Sequence, residues 1–312
     1  MKRNSTFIIT LFIIFFSSLS FSCKAKKADF SNKVKIVSTI FPPYDWVGTI
    51  IGTSDSKTIN TLLVKNGLDM HNFQPSTTDI VTISAADIFI YIGGESDAWV
   101  KTSLKNLENP NMKILNLMDI IAEKDQLLSE EDEEEFDEHI WLSLKKARIC
   151  VEAISDAICE KVPELAETFR TNTKAYLEEI DMLDASFKSA ITSAPHKTII
   201  VCDRFPFHYL TEDYGLEYAA AFDGCSAETE ASFETVVRLS NALTTSGVNA
   251  VLVLEKSDKK IAQTVITNAK KPHCDTFTLD SLQSTSLRDA FNGKTYLGTM
   301  RENLSTIKKA LN

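Results

Sequence analysis

Histidine is scarce in this 312-residue chain, which holds five, and the usual signatures built on histidine and cysteine are missing. There is no CxxC pair to grip a structural zinc, no HExxH helix of a zinc protease and no GxSxG elbow for a nucleophilic serine. A basic excess is missing too: 33 Lys and Arg stand against 43 Asp and Glu, a formal net charge of −10. That balance excludes nucleic acid as a partner, because phosphates require a basic surface, and it suits a protein that handles cations. Beyond the N-terminus, no apolar run approaches the ~20 residues of a membrane span.

The N-terminus itself is an export address. Lys2 and Arg3 precede an apolar run from Phe7 to Phe16, broken only by Thr10, and small residues lead to Cys23. Residues 1–22 read as a signal peptide. Cys23, after Leu19-Ser20-Phe21-Ser22, reads as the lipid-modified cysteine of a bacterial lipoprotein, although Ser20 stands where an apolar residue is usual. Residues 23–32, with Lys24, Lys26 and Lys27, form a lipidated tether. The expectation is a monomer on the outer face of a membrane, at the cell surface or in the periplasm, held by acyl chains. Without the leader, 31 basic residues face 43 acidic ones, a formal charge of −12. Five other cysteines cannot all pair. Cys150 and Cys159, nine apart on one helical stretch, are too distant to bridge; Cys202 and Cys225 are left as a possible disulfide, and the rest read as small buried apolar residues.

Strands and helices alternate along the chain, which points to parallel βα layers. Lys33 to Ile40 reads as a strand stopped by Pro42-Pro43, Trp46 to Ile51 as a short helix, and Thr58 to Val64 as a strand. Ser76-Thr77-Thr78-Asp79 is a capping box, and Ile88 to Ile92 is a buried strand. From Pro163 to about Thr192, Leu165, Phe169, Tyr176, Leu177, Ile180, Leu183, Phe187 and Ile191 recur at helical spacing. This predicts a connecting helix over 163–192, between an N-terminal lobe at 33–162 and a C-terminal lobe at 193–312. A second βα set has strands ending at acids: Cys202 before Asp203, Leu254 before Glu255 and Leu279 before Asp280. In such sheets ligands gather outside the carboxyl ends of the strands.

Two of the histidines share a setting. His71 lies in Gly67-Leu68-Asp69-Met70-His71-Asn72-Phe73, and His139 in Asp137-Glu138-His139-Ile140-Trp141, each behind acidic residues. Neutral imidazole is a common ligand of first-row metals. The acidic run in the loop 129–138, with eight carboxylates, reads as a solvated loop that also raises the local cation concentration. His196 and His273 carry no assigned role, and Glu228 and Glu230 read as surface or capping residues.

Gly67-x-Asp69-x-His71 with Pro75-Ser76-x-x-Asp79-Ile80, then Asp137-Glu138-His139-Ile140-Trp141-Leu142-Ser143, resemble the ligand loops of solute-binding lipoproteins of bacterial zinc and manganese ABC transporters. Asp203-Arg204-Phe205-Pro206-Phe207, Tyr214-Gly215-Leu216 and residues 224–230 look like a zinc-associated subgroup. The resemblance implies an α/β fold of two lobes, each a mainly parallel sheet flanked by helices, joined by one long rigid helix. It implies a metal in the cleft, with His71 and His139 from the first lobe and Asp280 as the last ligand. At the third place most relatives carry histidine. A gapless alignment puts Arg204 there and a shift of one puts Asp203; Asp203 is the preferred reading, with His208 and Glu255 as alternatives.

Two imidazoles with carboxylates suit tetrahedral Zn²⁺, and Mn²⁺ is the alternative. The implied function is capture of a divalent metal outside the membrane and delivery to an ABC transporter permease. The stiff helix implies small lobe motions, with release resting on local loop changes and permease contact. Two other classes stay open: a zinc hydrolase using His71, His139 and Asp280 with Glu255 nearby, and a surface adhesin.

Overall fold

A computed structural model of the chain describes residues 33–53, 57–107, 109–129, 136–224 and 231–312. The signal peptide, Cys23 and the tether, most of the acidic run, Cys225, Glu228 and Glu230 lie outside the described residues.

The first half of the fold runs β1 (Val34–Ser38), α1 (Phe41–Ile51), β2 (Thr58–Leu62), α2 (Thr77–Ser84), β3 (Ile88–Tyr91), α3 (Val100–Ser103), β4 (Lys113–Asn116), α4 (Leu117–Lys124) and α5 (Leu144–Lys161). The long helix α6 (Ala166–Ser193) follows. The second half runs β5 (Thr198–Phe205), α7 (His208–Tyr214), β6 (Glu217–Asp223), α8 (Phe233–Thr245), β7 (Ala250–Leu254), α9 (Lys260–Asn268), β8 (Asp275–Leu279), α10 (Leu287–Phe291) and α11 (Tyr296–Ala310). Each half has one four-stranded sheet, ordered β2-β1-β3-β4 and β6-β5-β7-β8. Every strand pair is parallel. The two sheets therefore repeat one strand order, with the chain reversing direction beside the first strand of each. Such reversal points open a crevice at the carboxyl ends of the strands.

α6 buries Phe169, Tyr176, Leu177, Ile180, Leu183, Phe187 and Ile191 on one face, as the 3.6-residue spacing predicts. At ~1.5 Å per residue its 28 residues reach ~42 Å. It packs against α1 and α5 from the first half and against α7 and α11 from the second. One apolar core, from Ile36 to Leu311, is continuous through both halves.

Local differences from the sequence reading have simple causes. Pro42 and Pro43 do not stop a strand; they open α1, where a missing amide proton costs nothing and a fixed φ suits the first turn. β5 does not end at Cys202 but continues to Phe205, with a register shift against β6 between Val201 and Arg204. Asp203 is thus inside a strand at an irregularity, a device that re-aims side chains. Cys202 is a buried free thiol whose pKa burial pushes up to about 12. Ser76 and Asp79 form the expected reciprocal cap on α2. No helix among the described residues is long and apolar enough to cross a membrane.

Candidate metal centre

The two histidine loops start from the same local device. Asp69 Oδ1 accepts the His71 amide at 3.2 Å, and Asp137 Oδ1 accepts the His139 amide at 2.7 Å. Asp69 caps the short 3₁₀ segment Met70–Asn72, and Asp137 holds the amide of His139, the residue that precedes the 3₁₀ segment Ile140–Leu142. Such side-chain caps are the local competitors that Asp offers to regular helix. The sequence Asp-x-His, written twice, makes the same aspartate-to-amide bond twice, with His71 inside its 3₁₀ segment and His139 just before its own.

The imidazoles are then oriented by two adjacent carboxylates. Asp137 Oδ1 lies 2.6 Å from His139 Nδ1. Glu138 Oε1 lies 3.0 Å from His71 Nδ1, whose other neighbour is Ser96 Oγ at 2.6 Å; Ser96 also donates to Glu138. With both Nδ1 atoms so held, His71 Nε2 and His139 Nε2 face each other at 3.4 Å. Tetrahedral zinc with Zn–N bonds of ~2.05 Å would separate two ligand nitrogens by about 3.3 Å. The 3.4 Å spacing matches the edge of such a tetrahedron. A carboxylate behind a ligating imidazole fixes its tautomer and raises its basicity, and here both imidazoles have one.

The electrostatics agree with that division of labour. Burial alone would raise the Asp137 carboxyl, but the charge and hydrogen bonds of His139, with His208, hold it well below the usual range. Burial likewise opposes ionisation of Glu138, and the hydrogen bond with His71, the charge of His139 and Ser96 outweigh it. Both groups are therefore anionic near neutrality. Asp97, beside them, differs: burial pushes it up to about 7, against the opposing amides of Gly93 and Ile92.

The second half meets these loops through several bonds. Tyr209 Oη donates to the Asp137 carbonyl at 2.8 Å, Trp141 Nε1 to the Ser281 carbonyl at 2.8 Å, and the Leu287 amide to the Lys65 carbonyl at 2.9 Å. A cleft of about 230 Å³ opens here, lined by Asp69, Asp203, Arg204, Glu255, Lys256 and Ser284 among others.

The carboxylates expected from this half are engaged with protein groups. Asp203 accepts its neighbour's amide through Oδ1 and the Leu254 amide, at 3.3 Å, through Oδ2. Asp280 follows β8; its Oδ2 lies 2.5 Å from Lys294 Nζ, and its Oδ1 accepts the Leu282 amide. Glu255 accepts from the amide and hydroxyl of Ser281 and from Ser284, and burial followed by the nearby Asp280 charge raises its pKa. His208 turns Nδ1 toward Asp137 Oδ2 at 3.1 Å, so it braces a carboxylate behind His139. Arg204 donates to Asp69 Oδ2 at 2.8 Å. Among the described residues, no three His, Cys, Asp or Glu side chains are grouped as a metal-holding cluster. The two histidines are brought together; Asp203, Asp280, Glu255 and His208 do not join them.

Sequence reasoning named the two paired imidazoles but gave no role to Asp137, Glu138 and Ser96. The adjacency of two acids to His139 was the available signal for the first pair. Ser96, 25 residues from His71, left none.

Comparison with known proteins adds independent weight. The family model described as zinc-uptake complex component A, periplasmic, matches residues 36–310. Zinc-binding protein AdcA of Streptococcus pyogenes is 28% identical over 99% of this chain and 61% of its own length, so the chain spans less than two thirds of that relative. High-affinity zinc uptake system protein ZnuA of Bacillus subtilis is 25% identical over 99% of this chain and 98% of its own. The Zn(II)-bound ZnuA-like domain of Streptococcus pneumoniae AdcA superposes with a TM-score of 0.74 at 28% identity, covering 89% of this chain and 99% of that one. With the twin parallel sheets, the long helix and a family match over nearly the whole described chain, this protein belongs to the zinc-uptake complex component A family.

Proposed function

We propose that this protein captures a divalent transition metal outside the membrane, Zn²⁺ first and Mn²⁺ second, and hands it to an ABC transporter permease. The observation that carries the reading is the 3.4 Å approach of His71 Nε2 and His139 Nε2, each imidazole backed by a carboxylate at Nδ1. Two nitrogen donors at a tetrahedral edge suit zinc, and at equal availability such a site prefers zinc over manganese. The relatives named for zinc binding and zinc uptake support the same choice.

His71 and His139 are the preset half of the site. Asp203 and Asp280 are the proposed remaining donors, and each must exchange a present partner, the Leu254 amide or the Lys294 ammonium, for the ion. The ion is cargo, so the protein works as a carrier and not as an enzyme. A lipid anchor at Cys23 would hold it at the membrane as a monomer, and a net charge of −12 without the leader favours cation approach.

The test is a competition titration of Zn²⁺ and Mn²⁺ on the chain from Cys23 onward. The expected result is tight zinc binding, abolished by His71→Ala or His139→Ala and weakened by Asp203→Ala and Asp280→Ala. Affinity no better than roughly micromolar for both metals, about −8 kcal/mol, would sink the capture reading.

A further inference from the structure

Asp69 sits beside the imidazole pair, yet a cation from the other sheet claims its charge. Its Oδ1 lies 4.0 Å from His71 Nε2, the nitrogen that faces His139. Its Oδ2 accepts Arg204 at 2.8 Å, across 135 residues of sequence. Both side chains are mostly buried, with 17% and 27% exposure, so solvent screens this pair less than a surface one. Arg204 stands where the pairing of β5 with β6 resumes after its register shift. The same loop is gripped a second time: Lys256, itself at φ +67°, donates to the Gly67 carbonyl at 2.5 Å and to the Ser284 carbonyl at 3.0 Å. Gly67, at φ +68°, leaves little room for a side chain, since a Cβ would stand 3.0 Å from the Ser284 carbonyl oxygen. A left-handed lysine and a crowded glycine at one junction mark a fixed docking of the His71 loop on the second half.

We propose that Arg204 is a positioning residue that holds Asp69 out of the metal site, so that Asp69 is a latent oxygen donor whose release tightens metal binding. The proposal rests on the capture reading above. The guanidinium acts in two ways. It occupies the carboxylate oxygen that would otherwise turn toward the ion, and it adds positive charge near an incoming dication. Both lower affinity, which favours hand-over. Without the cation, Asp69 would be a third donor on the side of His71, its Oδ1 4.0 Å from the Nε2 that faces His139.

The experiment is a chelator-competition titration with ZnCl₂ and MnCl₂ on the wild type, Arg204→Gln, Arg204→Met, Arg204→Lys and the double variant Arg204→Gln/Asp69→Asn. Melting curves in the same buffer confirm that each variant is folded. Arg204→Gln and Arg204→Met are expected to bind zinc at least tenfold more tightly. Manganese should gain by a larger factor, because the added donor is an oxygen. Arg204→Lys, which keeps the charge, should gain less, and the double variant should lose the gain. Unchanged or weaker zinc binding in both neutral variants overturns the proposal, as does a gain that survives in the double variant. A His71→Ala/His139→Ala control separates the two readings: if it still binds zinc like the wild type, the capture reading itself fails.

Discussion

Replacing Asp137 with asparagine removes one charge from the centre of the candidate site while nearly preserving shape. Asp137 is fully buried, and its Oδ1 serves both the amide and Nδ1 of His139, at 2.7 and 2.6 Å. Its Oδ2 lies 3.1 Å from His208 Nδ1. An asparagine keeps a single acceptor oxygen. If that oxygen stays on His139, the new amide group points at His208; if it turns, it points at Nδ1 of His139. In the first pose the charge-assisted hydrogen bond to His139 becomes a neutral one and in the second it is lost; such a bond is worth ~1.5–3 kcal/mol against ~1 for a neutral bond. Loss of the charge behind His139 also makes Nε2 a poorer donor. Changes of this kind cost about 10–100-fold in metal affinity, or ~1.4–2.7 kcal/mol. The assay is zinc competition with a chelating dye at fixed pH, alongside the melting temperature of the metal-free protein. Zinc affinity within about threefold of wild type, in a folded Asp137→Asn protein, would refute the orienting role given to this carboxylate.

Three further outcomes are expected. Gly94→Ala should weaken zinc binding at least tenfold, because Gly94 has φ +72° and a Cβ there would stand 2.5 Å from Glu138 Oε2, pushing Glu138 off His71; zinc titration reads it. Asp97, raised to about 7 by burial, keeps a proton that the unfolded chain releases near pH 4, so its contribution to stability falls as pH rises from about 4 to 7, by ~4 kcal/mol at most; denaturant unfolding across that range should lose most of this slope in Asp97→Asn. Tyr296→Phe removes the hydroxyl that donates to the Trp141 carbonyl at 2.6 Å in a fully buried setting, so chemical denaturation should show a loss of about 1–2 kcal/mol.

The fold was legible where one rule governed a segment. α6 follows from apolar spacing and the cap of α2 from Ser76 and Asp79. The prolines of α1 were misread because proline ends a strand and opens a helix with equal ease, and only the apolar surroundings of Trp46 decide between them. β5 ran past its apolar run because Asp203 is satisfied by the Leu254 amide of the neighbouring strand, a long-range bond with no trace in local sequence. The site divides in the same way. The histidine pair stood out as Asp-x-His twice. The partners of Asp280 and His208, namely Lys294 and Asp137, come from elements that only packing brings together.

Asp137 and Glu138 are joined by one peptide bond, yet they serve different imidazoles, His139 and His71. The two imidazoles proposed to hold the ion therefore lean on one dipeptide. A partner that twists this single unit by a fraction of its width would slacken both nitrogens together, with no need to separate the two sheets. Departure of the ion would then follow one rate-limiting event, and its release trace would be a single exponential even though two residues 68 positions apart let go.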